Sequence, residues 1–165
     1  MEPSHEPPRR RTHPTGFSFG GTAAIVTSMG VIVGFSASTV AKGPIVSSLL
    51  IVALADNISD SLSIHLYQES ENLDGRAAFR ATLTNFVARL VVSLSFVALV
   101  LVLPRSLLAG VSLGWGMLLL GVLSHILARA RKVSAWREVA KHLLIAAIVV
   151  VVSRVSAALI LAYVP

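Results

Sequence analysis

The chain has 165 residues, of which 55% are hydrophobic and only 13% are charged. A soluble domain carries about 25% charged residues, and a chain this short buries only about two-thirds of its surface, so a water-soluble enzyme is nearly excluded. Cysteine is absent, which excludes disulfides and thiolate metal sites. The net charge of +6 comes without interleaved aromatic residues, so we do not expect nucleic-acid binding.

Five apolar segments are long enough to cross a bilayer, whose hydrocarbon core of about 30 Å requires about 20 helical residues. They cover about residues 17–40, 45–67, 81–103, 107–127 and 142–164. Their apolar runs do not alternate with period two, which favours helices over barrel strands. The sequence therefore predicts an all-α integral membrane bundle of five transmembrane helices over 17–165, with a tight turn at Lys42-Gly43-Pro44. The polar, basic segment 1–16 is expected to be a disordered tail.

The basic residues predict the orientation of the bundle. One membrane face receives Arg9, Arg10, Arg11, Arg76, Arg80, Arg129, Arg131, Lys132, Arg137 and Lys141. The other face receives only Lys42 and Arg105. Because cytosolic loops carry the excess of Lys and Arg, we expect a cytosolic N-terminus and a C-terminus on the far side. The expected location is a prokaryotic cytoplasmic membrane, with a vacuolar membrane as the alternative.

Four charged residues lie inside the apolar segments: Asp56 and Asp60 in the second, Arg89 in the third and Arg154 in the fifth. A charge at the bilayer centre costs about 2.5–3.5 kcal/mol even on lenient scales, so such residues face a protein interior or an aqueous path. At about 100° per residue, Asp56 and Asp60 share one face with Ser63. The acids could be cation carriers, or they could form two buried ion pairs with Arg89 and Arg154.

The second segment also carries neutral donors beside the acids. Asn57, His65 and Gln68 form a second stripe, displaced by about a quarter turn, so His65 points nearly opposite to Asp56. Carboxylate, amide and hydroxyl oxygens suit hard or intermediate divalent cations, and one imidazole favours iron, manganese or zinc. A carboxylate in a low-dielectric site also binds a proton more readily, which is what exchange of protons for cations requires.

Glycines in the first segment allow close helix packing. Gly30 and Gly34 have the GxxxG spacing at which two membrane helices can approach closely. The spacing fits the seam of a homodimer, and it also fits packing within one chain.

The order of segments resembles the vacuolar iron transporter family of five-helix membrane proteins. Residues 59–69, SDSLSIHLYQE, fall on the family pattern at the end of the second helix, and Gly30–Gly34 resembles its first-helix G-I-V-A-G. The stretch from Leu118 to Arg154, with a basic loop and an apolar run, resembles its last two helices. The resemblance implies a dimeric exporter of Fe²⁺ or Mn²⁺ that takes up protons in exchange. It also adds Glu69 and Glu71 to the ligands, since the family has glutamate-rich helices there.

We therefore expect a membrane transporter for divalent metal cations with no permanently bound cofactor and no catalytic residues. Its expected partners are the bilayer, protons and a second copy of the chain. The expected metal ligands are Asp56, Asp60, Asn57, Ser63, His65, Gln68, Glu69 and Glu71. The alternative is a membrane scaffold or assembly protein that keeps the fold and has lost the site, which is favoured by Ala23, Ile64 and Gln68 at positions where the family carries ligands.

Overall fold

The protein is a bundle of five α-helices, as the computed structural model of residues 15–38, 40–70 and 75–163 describes it. The helices are α1 Thr15–Ser36, α2 Lys42–Ser70, α3 Gly75–Val102, α4 Arg105–Ala130 and α5 Ala135–Tyr163. The described ranges contain no strand, so the predicted all-α class is confirmed. Residues 1–14, most of the predicted tail, lie outside the described residues, whereas Thr15 and Gly16 belong to α1.

Four helices are long and apolar enough to cross a membrane. The spanning segments are Lys42–Tyr67, Thr82–Val102, Arg105–Ala130 and Ala135–Tyr163. Gly20–Ser36 of α1 is also apolar but shorter, so a fifth crossing stays a prediction. Backbone polar groups in lipid must be paired within the protein, and a helix pairs them within its own segment, which is why uninterrupted apolar runs adopt this structure.

The helices extend beyond the apolar windows. The turn predicted at Lys42-Gly43-Pro44 is wrong, because these residues form the first turn of α2. Proline fits the first turn of a helix, where its missing N–H would have no intrahelical partner. In the same way, α3 begins at Gly75 and α5 at Ala135, both before the apolar spans predicted there. Polar residues therefore continue the helices at their ends.

The centre of the bundle is α1, which packs against each of the other four helices. The neighbours α2 and α3 pack along their lengths, and so do α4 and α5. Among the described residues, α2 makes no contact with α4 or α5, so the outer helices leave the ring open between α2 and α5. The apolar core lies in the half of the bundle that contains Met29, Ile32, Phe96, Val100 and Leu108, all fully or almost fully buried.

Two basic side chains bind carbonyl oxygens at helix ends. Lys42 Nζ, at the start of α2, donates to the carbonyl oxygen of Leu101 near the end of α3 at 3.1 Å. Arg105 Nη2 donates to the carbonyl oxygen of Ser38, just beyond α1, at 3.1 Å. The last carbonyls of a helix lack intrahelical partners and carry partial negative charge, so both contacts are favourable. The contact between Lys42 and Leu101 also shows that α2 and α3 run antiparallel.

The connection between α4 and α5 is a tight Schellman turn. The N–H of Val133 donates to the carbonyl oxygen of Ala128 at 3.0 Å, and that of Lys132 donates to Arg129 at 3.1 Å. Lys132 has a φ of 55°, a conformation that glycine usually provides at this position. The turn reverses the chain within a few residues and sets α5 antiparallel to α4.

The glycines of the GxxxG sequence contact α5 within the chain. A Cβ atom at Gly30 would lie 3.0 Å from Ser153 Oγ, and one at Gly34 would lie 3.9 Å from the carbonyl oxygen of Ser153. Gly30 therefore allows α1 and α5 to approach closely. This contact supports the intramolecular alternative, while a homodimer through these glycines stays a prediction.

Replacing Gly30 by leucine is expected to lower the free energy of unfolding by about 1–3 kcal/mol, because the side chain would overlap α5. Thermal unfolding in detergent measures the effect. Gly114→Leu is the matched control, because nothing lies within 4 Å of a Cβ at Gly114. If the glycine acts within one chain, the loss is independent of protein concentration. A loss that grows on dilution would show that Gly30 packs against a second copy instead.

Candidate ion-binding site between α1, α2 and α3

A buried arginine of α3 binds both acids of α2. Arg89 is 4% exposed. Its Nη1 donates to Asp60 Oδ2, and its Nη2 lies 3.5 Å from Asp56 Oδ2. The side chains of Asp56 and Asp60 remain 46% and 32% exposed. One guanidinium thus lies inside the bundle and holds two carboxylates at its edge. We call Asp56, Asp60 and Arg89 the charged triad.

The helical repeat explains why one arginine reaches both acids. Asp56 and Asp60 are four residues apart, so they lie one turn from each other on the same face of α2. The neighbouring Asn57 Nδ2 donates to the carbonyl oxygen of Phe86 on α3 at 2.9 Å, which fixes the rotation of α2 against α3. With this register, the long side chain of Arg89 extends along the interface toward Asp60.

The formal charges of the triad do not cancel. Two ionised carboxylates and one guanidinium give a formal charge of −1, which one proton or one monovalent cation would neutralise. An isolated charge of this kind is unfavourable in a medium of low dielectric constant. The partial exposure of both acids shows that they are open to the outside of the single chain, where water, an ion or another polar group can contact them.

The space for Arg89 depends on small residues in α1. A Cβ atom at Gly20 would lie 2.8 Å from Arg89 Cγ and would overlap the side chain of Asn85. Further along α1, Thr27 and Ser28 line a cavity of about 10 Å³ together with Asp56, Arg89 and other residues of α2 and α3. A polar cavity of this size is about large enough for one water molecule.

Neutral polar side chains surround the triad inside the bundle. Asn57 and Asn85 are fully buried, and Ser28 and Ser93 are nearly so. Asn85 precedes Arg89 by one turn on α3, so the two share a face. Amide and hydroxyl groups stabilise a buried ion through their dipoles without adding charge. The interface of α1, α2 and α3 is therefore polar around the triad.

Among the described residues, no further acidic or imidazole side chain joins the two aspartates in a group that could hold a metal ion. Ser63 is exposed, and its Oγ donates to the carbonyl oxygen of Ser59 in the same helix at 2.9 Å. His65 is partly exposed on α2. Gln68 and Glu69 lie in α2, with side chains that are outside the described set, and Glu71 lies outside the described residues. Within the described part of the chain, no three acidic or histidine side chains are close enough to hold a metal ion.

The alternative of two separate ion pairs is wrong. Both acids bind the one arginine of α3, while Arg154 is exposed on α5 and makes no ion pair with the described residues. The reason is the order of the helices around α1, since α2 packs on α3 and does not contact α5. Arg154 therefore cannot serve as a partner of the acids within the chain.

Sequence reasoning missed Asn85 and Gly20. Asn85 could have been found from its spacing, because Asn85 and Arg89 lie one turn apart in a predominantly apolar segment. Gly20 had no such signal, since glycine is common in membrane helices. Its role follows only from the proximity of α1 and α3.

The chain matches no protein-family model, no curated protein and no solved structure in the comparisons made. The class of this protein and its function must therefore be inferred from its helices and from the charged triad. Four helices of spanning length and composition define a multi-pass membrane protein. The family resemblance of the second segment stays a prediction.

Replacing Arg89 by leucine is expected to lower the free energy of unfolding by about 3–5 kcal/mol, because both carboxylates lose their shared counter-charge. Adding Asp56→Asn and Asp60→Asn to Arg89→Leu should restore most of this stability, since no uncompensated charge remains. Thermal unfolding in detergent measures both variants. Arg154→Leu is the matched control and should change stability by less than about 0.5 kcal/mol. Equal stability of Arg89→Leu and Arg154→Leu would show that the ion pairs do not support the fold.

Proposed function

We propose that the protein is a membrane transporter that exchanges protons for cations at Asp56 and Asp60. The observation that carries this proposal is the charged triad, which leaves two partly exposed carboxylates and one excess negative charge within a membrane-spanning segment. Acidic residues inside membrane segments commonly mark ion paths and proton relays because their burial is costly. A purely structural ion pair would need only one carboxylate for one arginine.

Arg89 acts in this mechanism as a tethered cation. In the unloaded state it occupies the position between the acids where a cargo cation would bind. A divalent cation added to the intact triad would change its formal charge from −1 to +1, which opposes binding. Release of Arg89 from the acids would leave a charge of −2, which a divalent cation neutralises. Protonation of one acid balances the triad with Arg89 in place and favours release of the cargo.

The cargo proposed is a divalent metal ion such as Fe²⁺ or Mn²⁺. Carboxylate oxygens with nearby amide and hydroxyl groups are suitable ligands for such ions. The resemblance of residues 59–69 to the vacuolar iron transporter family supports the same cargo. The basic residues at one end support a cytosolic N-terminus and export from the cytosol.

A homodimer is part of the proposal. Asp56 is 46% exposed within a spanning segment, and a carboxylate that faced lipid would be costly. A second copy packed on this side of α2 would enclose the acid and leave room for an aqueous path. The open side of the ring, between α2 and α5, provides space for such a contact.

The transport assay uses purified protein in liposomes with an imposed pH gradient. The unsubstituted protein is expected to drive Fe²⁺ or Mn²⁺ uptake, and Asp56→Asn and Asp60→Asn are expected to lose most of it, because an amide cannot exchange a proton. Glu138→Gln is the matched control, since Glu138 is a carboxylate in the first turn of α5 that pairs with Lys141 at 2.8 Å. Uptake that is unchanged in both aspartate variants would contradict the proposal.

Arg89→Gln provides a test of the tethered cation. Without the guanidinium, the acids carry a charge of −2, so Mn²⁺ should raise the melting temperature of Arg89→Gln more than that of the unsubstituted protein. At about 100 times the dissociation constant the expected stabilisation is about 2.7 kcal/mol. Arg89→Lys keeps the positive charge and should respond like the unsubstituted protein. A Mn²⁺ response that is equal in all three proteins would contradict competition between Arg89 and the cargo.

The alternative is a membrane scaffold that keeps the fold and binds no cargo. The absence of a cluster of three metal-ligating side chains among the described residues favours it. In that case Asp56 and Asp60 serve only to hold Arg89. If the protein is a scaffold, we expect no cation uptake and no change in melting temperature on addition of metal in any variant. The uptake assay and the melting assay therefore separate the two functions.

A further inference from the structure

Unpartnered polar atoms line one part of the interface between α2 and α3. They are Asn57 Oδ1, Ser61 Oγ, Thr82 Oγ1 and both polar atoms of the Asn85 amide, all buried and without a hydrogen-bonding partner in the described part of the protein. We call these four residues the polar seam. Only one further side chain, Ser112 on α4, has such an atom among the described residues.

All four residues of the seam lie in the same direction from the Cα atom of Arg89 along the bundle. On α2, Ser61 follows Asn57 by one turn toward the helix end at Ser70. On α3, Thr82 and Asn85 precede Arg89, toward the helix start at Gly75. Since α2 and α3 are antiparallel, these directions coincide. The seam therefore extends from the charged triad toward the connection between α2 and α3.

The interface on the opposite side of Arg89 is different. There the buried residues of α2 and α3 are apolar beyond Ser93. They are Ile45, Leu49, Phe96, Val97 and Val100, which belong to the main hydrophobic core. Apolar packing of this kind excludes water. The polar interface thus continues on one side of the triad, whereas on the other side a small cavity beside Ser28 and Ser93 ends at the apolar core.

The chemistry of the seam fits water. A buried polar atom without a partner is unfavourable, and buried water commonly satisfies such atoms in proteins. Amide and hydroxyl groups can donate as well as accept, so they can hold water in either orientation. The seam contains no charged group that would retain a passing ion.

We propose that the polar seam binds water molecules that connect Asp60 and Arg89 with solvent toward the α2–α3 connection, and that this is the path by which protons reach the acids. The second half of this inference rests on the proposed transport function, whereas hydration of the seam does not. Because the core closes the opposite side, the path opens to one membrane face only in this conformation.

Accessibility of single cysteines tests the inference directly, because the chain contains no cysteine of its own. Ser61→Cys and Thr82→Cys place a thiol on each side of the seam with little change in size. Each variant is reconstituted in liposomes in a single orientation and treated with the membrane-impermeant reagent 2-(trimethylammonio)ethyl methanethiosulfonate, added outside or trapped inside. Mass spectrometry measures the rate of modification. The reagent reacts with the thiolate, which forms in water and is disfavoured in apolar surroundings.

Ser112→Cys is the matched control. Ser112 is also fully buried and its hydroxyl is also unpartnered, but it lies on α4 away from the seam. We expect Ser61→Cys and Thr82→Cys to react at least about tenfold faster than Ser112→Cys, and from one side of the membrane only. All three should react at similar rates after unfolding in sodium dodecyl sulfate.

Two results would overturn the inference. Rates at both seam positions no faster than at Ser112→Cys would show that the seam is dry, and equal rates from both sides would show that the path is not one-sided. The two positions lie on different helices, so if one variant fails to fold the other still gives an answer. The liposome uptake assay is separate, since a hydrated seam without uptake would refute transport alone, and uptake with a dry seam would refute the path alone.

Discussion

The contact of Arg89 with Asp56 and Asp60 determines how α1, α2 and α3 fit together. A guanidinium inside a membrane bundle is unfavourable unless carboxylates and dipoles surround it. The structure provides two acids from α2, the amide of Asn85 from the preceding turn of α3, and space from Gly20 of α1. The burial of the Arg89 charge therefore depends on all three helices, because each supplies a different part of its surroundings.

This arrangement differs from an ordinary structural ion pair because its charges do not cancel. A pair of one carboxylate and one guanidinium has no net formal charge, whereas the triad has one carboxylate more than it has guanidinium groups. With both acids ionised it keeps a charge of −1, and with one acid protonated it is neutral. The proposed exchange of cations would therefore use the same three side chains that hold α2 against α3. The open position of Asp56 at the edge of the bundle is part of this arrangement.

Much of the helical architecture could be predicted from the sequence, because apolar length and composition decide it locally. The shared face of Asp56 and Asp60 also followed from spacing within one helix. The partner of these acids could not be predicted, because the choice between Arg89 and Arg154 depends on which helices are neighbours. That order is set by packing around α1, to which Gly20 and Gly30 contribute through contacts that no local pattern records. The ends of α2, α3 and α5 were missed because helices continue into polar residues.

The two side chains that bind helix-end carbonyls alter how the charge of the protein is distributed along the membrane normal. Lys42 and Arg105 lie near the end of the bundle that contains the α1–α2 and α3–α4 connections, and each donates a hydrogen bond to a carbonyl oxygen there. Their charge compensates the partial negative charge of the helix ends. The electrostatic asymmetry between the two ends is thus steeper than a count of lysines and arginines indicates, and anionic headgroups should concentrate around the opposite end.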